Sequence, residues 1–222
     1  MDGVFVTGTG TEVGKTVVAG VIARRASATG HRVSVFKPAV SGLDEGREQG
    51  VVPDHEHLRR ASGSEQTDDE ISPYRFGPAV SPHLAAELEG VEIAPQRLRD
   101  GLAVARKAGD FLVCEGVGGF QVPLRLDYLV RDFARDAALP VLVVAAPGLG
   151  TINHTLLTVE AVRAAGLEVL GVVLTPWPPE PNRLELSNLE AIRELGGVRV
   201  ETLIGIDLAD PASWPGLDLR TG

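Results

Sequence analysis

Short apolar runs alternate along the chain with longer segments of helical periodicity. The runs are rich in Val and Leu and lack strict alternation: Gly3–Thr7, Arg32–Phe36, Asp110–Cys114, Pro140–Ala145, Val169–Leu174 and Arg199–Ile204. Such runs are typical of strands buried on both faces of a parallel sheet. Amphipathic helices are predicted between them, near Thr16–Thr29, Asp54–Ala61, Pro95–Lys107, Tyr128–Ala138, Asn153–Ala165 and Arg183–Leu195. The pattern predicts a doubly wound α/β fold, a mostly parallel sheet flanked by helices, with ligands beyond the carboxyl ends of the strands.

Three segments depart from this alternation. Gly42–Pro53 is Gly-rich and charged and has no apolar face, which predicts a mobile surface loop. The proline-rich run Pro176–Pro181 is predicted to be neither helix nor central strand, because proline cannot donate a backbone hydrogen bond. The tail from Asp207 has little periodicity and is predicted to run over the surface.

Composition excludes several classes of protein. The chain has 222 residues, of which 44% are hydrophobic and 23% charged, which suits one well-buried soluble domain spanning 1–222. The net charge is -9 and no Lys/Arg run provides a basic face, so no nucleic-acid partner is expected. No apolar run reaches the roughly 18 residues that a membrane span needs. No basic stretch precedes Val4, and a single cysteine cannot form an internal disulfide, so a cytoplasmic location is expected.

The first predicted strand leads directly into the segment Gly8–Thr16, and a predicted helix follows. Glycines let a backbone turn its N–H groups inward, and with a helix N-terminus these amides form a cradle for phosphate. Lys15 can reach the outer phosphates of a nucleotide, and the Thr16 hydroxyl can bind magnesium. Gly8 lies one residue earlier than in the usual spacing, so the loop is a lengthened variant. The order of strand, glycines, Lys-Thr and helix favours a P-loop NTPase-like domain over a glycine-rich turn with an incidental lysine.

Two acidic residues are candidate metal ligands. Glu115 ends the apolar run that begins at Asp110, and glycines follow at positions 116, 118 and 119. A carboxylate at the end of a strand beside a phosphate loop suits magnesium, although an ordinary strand-end acid facing water is the alternative. Asp54 follows Pro53 and opens a predicted helix, where a role as N-cap alone would also explain it.

Lys37 ends the second predicted strand and is expected to face the same crevice as Lys15. Two lysines near one phosphate suit the transfer of phosphate to an acid, and a lysine that simply extends its ammonium group into water is the alternative. Two neighbouring features are interpreted as structural. Cys114 is predicted to be buried packing rather than a nucleophile, and His55–His57 to be a solvated helical turn rather than a metal site.

These segments together resemble the dethiobiotin synthetase family, ATP-dependent carboxylases of biotin synthesis. The matching segments follow the family's order and spacing over nearly the whole chain: Gly8–Thr16, Lys37-Pro38 with Ser41, Asp54, Ser81-Pro82-His83, Glu115–Gly119 and Leu149–His154. Each of these segments alone is weak evidence for the family. The lengthened loop, Lys37-Pro38 and the segment Gly150–His154 are specific in combination.

The resemblance implies a doubly wound fold and a homodimer with shared active sites. It implies 7,8-diaminopelargonic acid, CO2 (bicarbonate in solution) and ATP as substrates, with magnesium. One amine becomes a carbamate, which takes the γ-phosphoryl group to give a carbamic–phosphoric anhydride. The second amine then attacks, closes a cyclic urea and expels phosphate.

The resemblance also implies roles for individual residues. Magnesium ligands would be Thr16, Asp54 and Glu115, and catalytic residues would be Lys15, Lys37 and Thr11. Further nucleotide contacts would come from Glu12, Val13, Gly14, Val17, Gly118, Thr175, Pro176, Gly205, Ile206 and Asp207. Substrate contacts would come from Thr11, Lys37, Ser41 and Gly118 at the diamine end, and from Gly150, Thr151, Ile152 and Asn153 of the other subunit. The second group would hold the distant carboxylate with backbone amides, in keeping with the attraction of carboxylates to helix N-termini.

The chain departs from the family pattern at three places. Gly10 stands where many members carry Asp, and Leu124–Tyr128 replaces a Ser/Asp/Thr-rich segment that contacts substrate. Thr175 stands where many members carry Asn, and prolines follow it. Adenine recognition is therefore expected to be altered, so that other nucleoside triphosphates are accepted.

Three other functions are weighed against this one. A partition-type ATPase switch carries a signature lysine at the position of Gly10, and a related P-loop amide synthetase for corrin acids usually brings a glutaminase domain that 222 residues do not accommodate. A nucleotide-binding regulator without chemistry would not need the combination of Lys15, Lys37 and Glu115. A requirement of ATP hydrolysis for both the diamine and bicarbonate separates these functions.

Overall fold

The computed structural model describes residues 2–206 together with residues 214 and 217. In chain order its strands are β1 (Asp2–Gly8), β2 (Val33–Phe36), β3 (Phe111–Glu115), β4 (Pro123–Arg125), β5 (Tyr128–Leu129), β6 (Val141–Ala145), β7 (Val169–Trp177) and β8 (Val200–Ile204). Its helices are α1 (Lys15–Ala28), α2 (Leu43–Glu48), α3 (Asp54–Ser62), α4 (Asp68–Ile71), α5 (Pro82–Leu88), α6 (Pro95–Ala108), α7 (Val130–Ala137), α8 (Thr151–Ala164) and α9 (Arg183–Gly196). Within these residues no helix is long and apolar enough to cross a bilayer.

Six of the strands form one parallel sheet in the order β2-β3-β1-β6-β7-β8. All six predicted strands are therefore confirmed, as is the doubly wound class. After β1 the chain forms the edge strand β2, then β3 between β2 and β1, and then crosses to place β6 on the other side of β1. Ligands of such folds bind at this reversal, beyond the carboxyl ends of the strands, and the loop after β1 lies there.

Each face of the sheet carries its own apolar core. Along β1, Val4 and Val6 face the core shared with α1 and α3, whereas Phe5 faces the core shared with α6, α7, α8 and α9. Successive side chains of a strand point to opposite faces, so a strand covered on both sides must be apolar throughout. This double burial explains why the strands read as continuous apolar runs.

The prediction of a loop over Gly42–Pro53 is wrong for its first half, which contains α2. None of the residues of α2 is buried, so the sequence has no apolar face there from which a helix could be predicted. Instead, its start is held by backbone pairing to a distant segment: the amides of Gly42, Leu43 and Asp44 donate to carbonyl groups of residues 76–78 at 2.9, 3.2 and 3.1 Å. Contacts of this kind leave no periodicity in the sequence.

The prediction that Pro176 and Trp177 lie outside a central strand is also wrong. Strand β7 lies between β6 and β8 and continues to Trp177, which pairs with Ile204. Proline is tolerated there because β6 pairs only as far as Leu174, and the β7–β8 register shifts between Leu174 and Trp177. The missing N–H of Pro176 therefore interrupts no regular ladder.

Two smaller expectations also need correction. Tyr128, predicted to start a helix, lies in β5, which pairs with β4, and α7 begins at Val130. Most of the tail that is predicted to run over the surface lies outside the described residues, but Leu217 departs from the prediction: it is only 5% exposed and packs in the core with α1 and α3. The ring of Trp214 stacks on His57 of α3 with centroids 5.5 Å apart.

Strand β2 is an edge strand of the sheet, and a side chain covers part of its open edge. The Gln66 amide accepts a hydrogen bond from Val35 N at 2.8 Å and donates to Val35 O at 3.1 Å. Gln66 is buried, so it takes the place of a neighbouring strand at this residue. Two residues further on, Lys37 N donates to Ile71 O at 2.8 Å. The end of β2 is thereby fixed on its open side.

We expect Gln66→Ala to lower the free energy of unfolding by about 2 kcal/mol, because it leaves the buried N–H and C=O of Val35 without partners. The matched control is Gln96→Ala, which removes the same group from an exposed position of α6 and should change stability by less than about 0.5 kcal/mol. Urea denaturation measures both. Equal midpoints for the two variants would contradict the edge role of Gln66.

Candidate active site

The loop between β1 and α1 has the geometry of an anion cradle. Glu12 and Gly14 both adopt positive φ, 60° and 91°, which turns the backbone sharply before the helix. A Cβ on Gly14 would lie 2.8 Å from the Thr175 methyl group, so only glycine fits. Because Gly14 is also the N-cap of α1, no side chain occupies the first-turn amides, which are left to bind an anion.

Lys15 begins α1 and is folded back over this loop. Its ammonium group donates to Gly10 O at 2.7 Å, and the residue is only 7% exposed. Burial, together with the positive charge of Lys37, lowers the pKa of Lys15 to about 8, and the charges of Glu115 and Asp54 oppose this shift. An anion bound in the loop would satisfy this ammonium better than a single carbonyl group does.

Four polar side chains from four elements meet beside the loop. We call Thr16, Lys37, Asp54 and Glu115 the Lys37 cluster. The Lys37 ammonium contacts Glu115 Oε1 and lies 2.8 Å from Asp54 Oδ2 and 3.4 Å from Gly116 O. The Thr16 hydroxyl donates to Glu115 Oε1 at 2.8 Å. The sequence placed these residues up to 99 positions apart, and the sheet order brings them together.

The cluster rules out the simpler alternatives for its members. Glu115 is 0% exposed and Lys37 is 2% exposed, so neither is a strand-end group facing water. Asp54 is the first residue of α3, whose N-cap is Pro53, and its carboxylate bonds Lys37 instead of capping the helix. The Lys37 ammonium also reaches the backbone carbonyl of Gly116. The sequence does not predict this contact, because it involves a backbone atom.

Charge balance governs the pKa values in the cluster. Burial alone would lower the pKa of Lys37, but Asp54 and Glu115 outweigh it and raise that pKa above its ordinary value. Burial opposes ionisation of Asp54 as well, yet Lys37 and the Thr16 hydroxyl keep the pKa of Asp54 below its usual range. For Glu115 burial dominates and raises the pKa, with Lys37 opposing it.

The cluster also fits a hard divalent cation. Glu115 Oε2 is buried and has no hydrogen-bond partner among the described residues, and the side chain of Asp54 is 42% exposed toward the crevice. Magnesium takes oxygen ligands, usually from one or two carboxylates plus phosphates and water. Glu115, Asp54 and the Thr16 hydroxyl supply such oxygens. In the part of the chain that the structure describes, no group of three or more His, Cys, Asp or Glu forms a metal cage, so phosphate oxygens would complete the coordination.

The prediction that His55–His57 is a solvated turn is wrong, since His55 is 4% and His57 8% exposed. The face of α3 that bears them packs inward, where His57 meets Gly20 of α1 and the Trp214 ring. Burial lowers the pKa of both histidines. Cys114, also fully buried, is confirmed as packing, and burial raises the pKa of its thiol.

Other predicted nucleotide contacts surround the loop. Thr11 and Glu12 are exposed on it, Val13 and Val17 are half-buried against the core, and Gly118 follows Glu115 with φ 61°. Gly119 lies alongside, since a Cβ there would be 3.7 Å from Gly8 O. Thr175 is 3% exposed, whereas Pro176 and Gly205 are exposed and Ile206 is half-buried. Asp207 lies outside the described residues.

The predicted substrate contacts divide into two groups. Ser41 is half-buried four residues after Lys37. The segment Gly150–Asn153 begins α8 after β6, which neighbours β1, and Gly150 is its N-cap with φ 91°. Within the described chain this segment makes no hydrogen bond or ion pair to the Lys37 cluster. Thr151 is buried, while Asn153 is exposed.

A family model described as an AAA domain matches residues 2–205. The ATP-dependent dethiobiotin synthetase BioD of Bacillus cereus (strain B4264) is 40% identical over 204 residues, covering 92% of this chain and 83% of that protein. The protein of the same name from Anaeromyxobacter dehalogenans (strain 2CP-1 / ATCC BAA-258) is 44% identical over 180 residues, covering 81% and 79%.

Among solved structures, the septum site-determining protein MinD complexed with Mg-ADP from Pyrococcus horikoshii OT3 aligns with a TM-score of 0.56. The alignment covers 91% of this chain and 81% of that one, at 16% identity. An apo McdA structure aligns equally well at 12% identity. Likeness at this level of identity concerns the fold alone.

The lowered pKa of Lys15 predicts proton-linked binding of nucleoside triphosphate. As pH rises through about 8 the free ammonium group loses its proton, whereas bound phosphate favours the charged form. Binding at pH 8.5 should therefore take up protons, and the Kd should be about tenfold weaker at pH 9 than at pH 7. Calorimetry in buffers of different ionisation enthalpy measures both quantities.

The matched control is Lys15→Arg, whose guanidinium group stays charged over this range. Its Kd should not change with pH. A wild-type Kd that is equally flat, with no buffer-dependent heat, would show that Lys15 remains charged in the free protein.

Proposed function

This chain belongs to the family of ATP-dependent dethiobiotin synthetases, and from that premise we propose a reaction route for it. The enzyme is an ATP-dependent ligase that makes dethiobiotin in biotin biosynthesis, a function that implies 7,8-diaminopelargonic acid, CO2 and ATP as substrates. The route runs through a carbamate and a carbamic–phosphoric anhydride. The observation that carries it is the buried Lys37 ammonium held between two carboxylates beside Lys15.

The phosphate loop holds the nucleotide in this proposal. The free amides at the start of α1 bind the outer phosphates, and Lys15 turns from Gly10 O toward the γ-phosphate. Thr16, Asp54 and Glu115 would hold magnesium, whose charge when bound neutralises the phosphate oxygens. In a buried crevice such preorganised charges act with little screening.

Lys37 acts on the substrate that receives the phosphate. One amine of the diamine attacks CO2 and loses a proton, which leaves a carbamate anion whose charge the Lys37 ammonium stabilises. A carbamate oxygen then attacks the γ-phosphorus and ADP leaves. The second amine attacks the carbonyl carbon of the anhydride and forms a C–N bond. The C–O bond to the phosphoryl group breaks, phosphate leaves with that oxygen, and the amine releases a proton. In this proposal Thr11, Ser41 and Gly118 would contact the diamine end of the substrate.

We expect phosphate release to require both the diamine and bicarbonate, with one ATP consumed for each dethiobiotin formed. Lys37→Gln should lower turnover by about 100-fold or more, because a preorganised charge is lost from the reacting centre. Lys107→Gln, the same change at an exposed position of α6, should leave turnover unchanged. Phosphate release that ignores the diamine would indicate a switch-type ATPase and refute the proposal.

We also propose a homodimer in which the partner's α8 start, at Gly150–Asn153, binds the distant carboxylate of the diamine. No side chain caps this helix start, and apart from Thr151 N, which donates to Gly148 O at 3.2 Å, its first-turn amides suit an anion. Large apolar side chains are exposed nearby, with Leu149 91% and Leu157 57% exposed. Apolar surface of this kind is consistent with a protein–protein contact.

Mixing two inactive variants tests the shared site. Asn153→Asp places a negative charge at the start of α8 and should abolish use of the diamine, whereas Asn182→Asp, the same change at the start of α9, should be silent. Equal amounts of Lys15→Gln and Asn153→Asp should recover about a quarter of wild-type activity, since half the dimers are mixed and each has one complete site. No recovery after demonstrated subunit exchange would refute sharing.

We propose, finally, that the enzyme reads the base only weakly. Thr175 is buried with its methyl group against Gly14, and Pro176 has no N–H to offer a base. An amide side chain could pair with adenine at two points, a contact worth roughly 1–3 kcal/mol. The values of kcat/KM for ATP, GTP, CTP and UTP should therefore lie within about 100-fold of one another. A preference for ATP above about 100-fold would contradict this proposal, because residues other than Thr175 and Pro176 would then have to recognise adenine.

A further inference from the structure

Lys37 satisfies its ammonium group entirely with protein oxygens. An ammonium group has three N–H donors. The three acceptors around it are Glu115 Oε1, Asp54 Oδ2 at 2.8 Å and Gly116 O at 3.4 Å. With an exposed fraction of 2%, Lys37 exchanges none of these partners for bulk water. The group therefore behaves as an internal cation bound in an oxygen-lined pocket.

The two carboxylates that bond Lys37 are also the ones that the proposed function assigns to magnesium, with Glu115 Oε2 still without a partner among the described residues. Glu115 Oε1 already accepts hydrogen bonds from the Lys37 ammonium and the Thr16 hydroxyl, and Asp54 Oδ2 also contacts the Lys37 ammonium. A divalent cation bound by these two carboxylates would stand within a few Å of the ammonium group. Two positive charges at that separation repel strongly in a buried crevice. Full occupancy by both cations is therefore disfavoured.

Removing both cations is equally unfavourable. Glu115 is completely buried, and a buried carboxylate without a counter-ion is strongly destabilising. The pocket therefore requires one bound cation at all times, and the binding of a second cation is weakened by repulsion from the first. The Lys37 side chain is long and flexible enough to leave while its backbone stays fixed by the hydrogen bond from Lys37 N to Ile71 O.

We propose that Lys37 is the resident cation of this pocket and competes with Mg2+ for Glu115 and Asp54. Binding of the metal with the nucleotide then releases the Lys37 ammonium toward the reacting carbamate. The catalytic lysine is delivered only when phosphate is ready to be transferred, and Glu115 is never left without a counter-ion. This inference rests on the proposed metal ligands.

Divalent-cation binding to the nucleotide-free protein tests the competition. Mn2+, which shares the preference of Mg2+ for oxygen ligands, is titrated and its free aqua ion followed by electron paramagnetic resonance. Lys37→Met should bind Mn2+ at least tenfold more tightly than the wild type. Mg2+ at 10 mM, against KCl of equal ionic strength, should raise the Tm of Lys37→Met by about 3 °C or more and leave the wild-type Tm unchanged.

Two control variants separate this effect from a general loss of charge. Lys15→Met removes a second buried ammonium group, whose hydrogen bond within the described residues is to Gly10 O rather than to a carboxylate, so this variant should gain much less Mn2+ affinity. Lys37→Met combined with Glu115→Gln should lose both the gain in affinity and the Tm response. If Lys37→Met does not fold in KCl, Mg2+ should restore its native circular dichroism, and failure to do so overturns the inference.

The decisive contrary result is a wild-type protein that binds Mn2+ as tightly as Lys37→Met. Glu115→Gln alone reports separately on the metal assignment, because it should raise the Mg2+ concentration needed for nucleotide binding. If that variant behaves as expected while Lys37→Met gains nothing, competition is refuted and the proposed function stands. An unchanged Mg2+ requirement in Glu115→Gln would instead refute the assignment of Glu115 to the metal.

Discussion

The burial of the Glu115 carboxylate is the constraint on which the rest of the site depends. A carboxylate with no exposed surface must be paired, because an isolated buried charge costs several kcal/mol. Glu115 ends β3, which lies between β1 and β2 in the sheet. The carboxyl ends of these three neighbouring strands lie at one edge of the sheet, so α1 after β1 supplies Thr16 and the residue that follows β2 is Lys37. The sheet order therefore determines which groups can compensate the buried charge.

The groups that compensate the buried charge of Glu115 are also the groups that the proposed reaction uses. A crevice that excludes water strengthens every electrostatic interaction within it, and charges held in advance need no reorganisation during reaction. Lys37, fixed by two carboxylates, and Lys15, held on a single carbonyl group, differ in how tightly they are bound. Burial lowers the pKa of both lysines, and only at Lys37 do Asp54 and Glu115 outweigh it and raise the pKa. Two lysines at one crevice can thus serve separate anions, the phosphate and the carbamate.

The sequence predicted the order of strands and helices well, since short apolar runs that alternate with amphipathic segments are typical of a parallel sheet covered on both faces. It predicted the phosphate loop because strand, glycines, Lys-Thr and helix must occur in that order. It missed α2, which is held by backbone bonds to residues 76–78, and the end of β7, where Pro176 falls at a register shift. The burial of His55, His57 and Leu217 depends on which faces of α1 and α3 meet. The bonding of Lys37 to both Asp54 and Glu115 likewise required the three-dimensional arrangement.

The central claim is that these charges promote transfer of the γ-phosphoryl group to a carbamate oxygen, and oxygen labelling tests it most directly. Bicarbonate labelled with 18O is supplied with the diamine, Mg2+ and ATP in a single turnover, too brief for exchange with water. The account predicts that the phosphate released carries one 18O atom from bicarbonate and that the urea carbonyl of the product carries another. Phosphate without label, its new oxygen taken from water, would contradict the account.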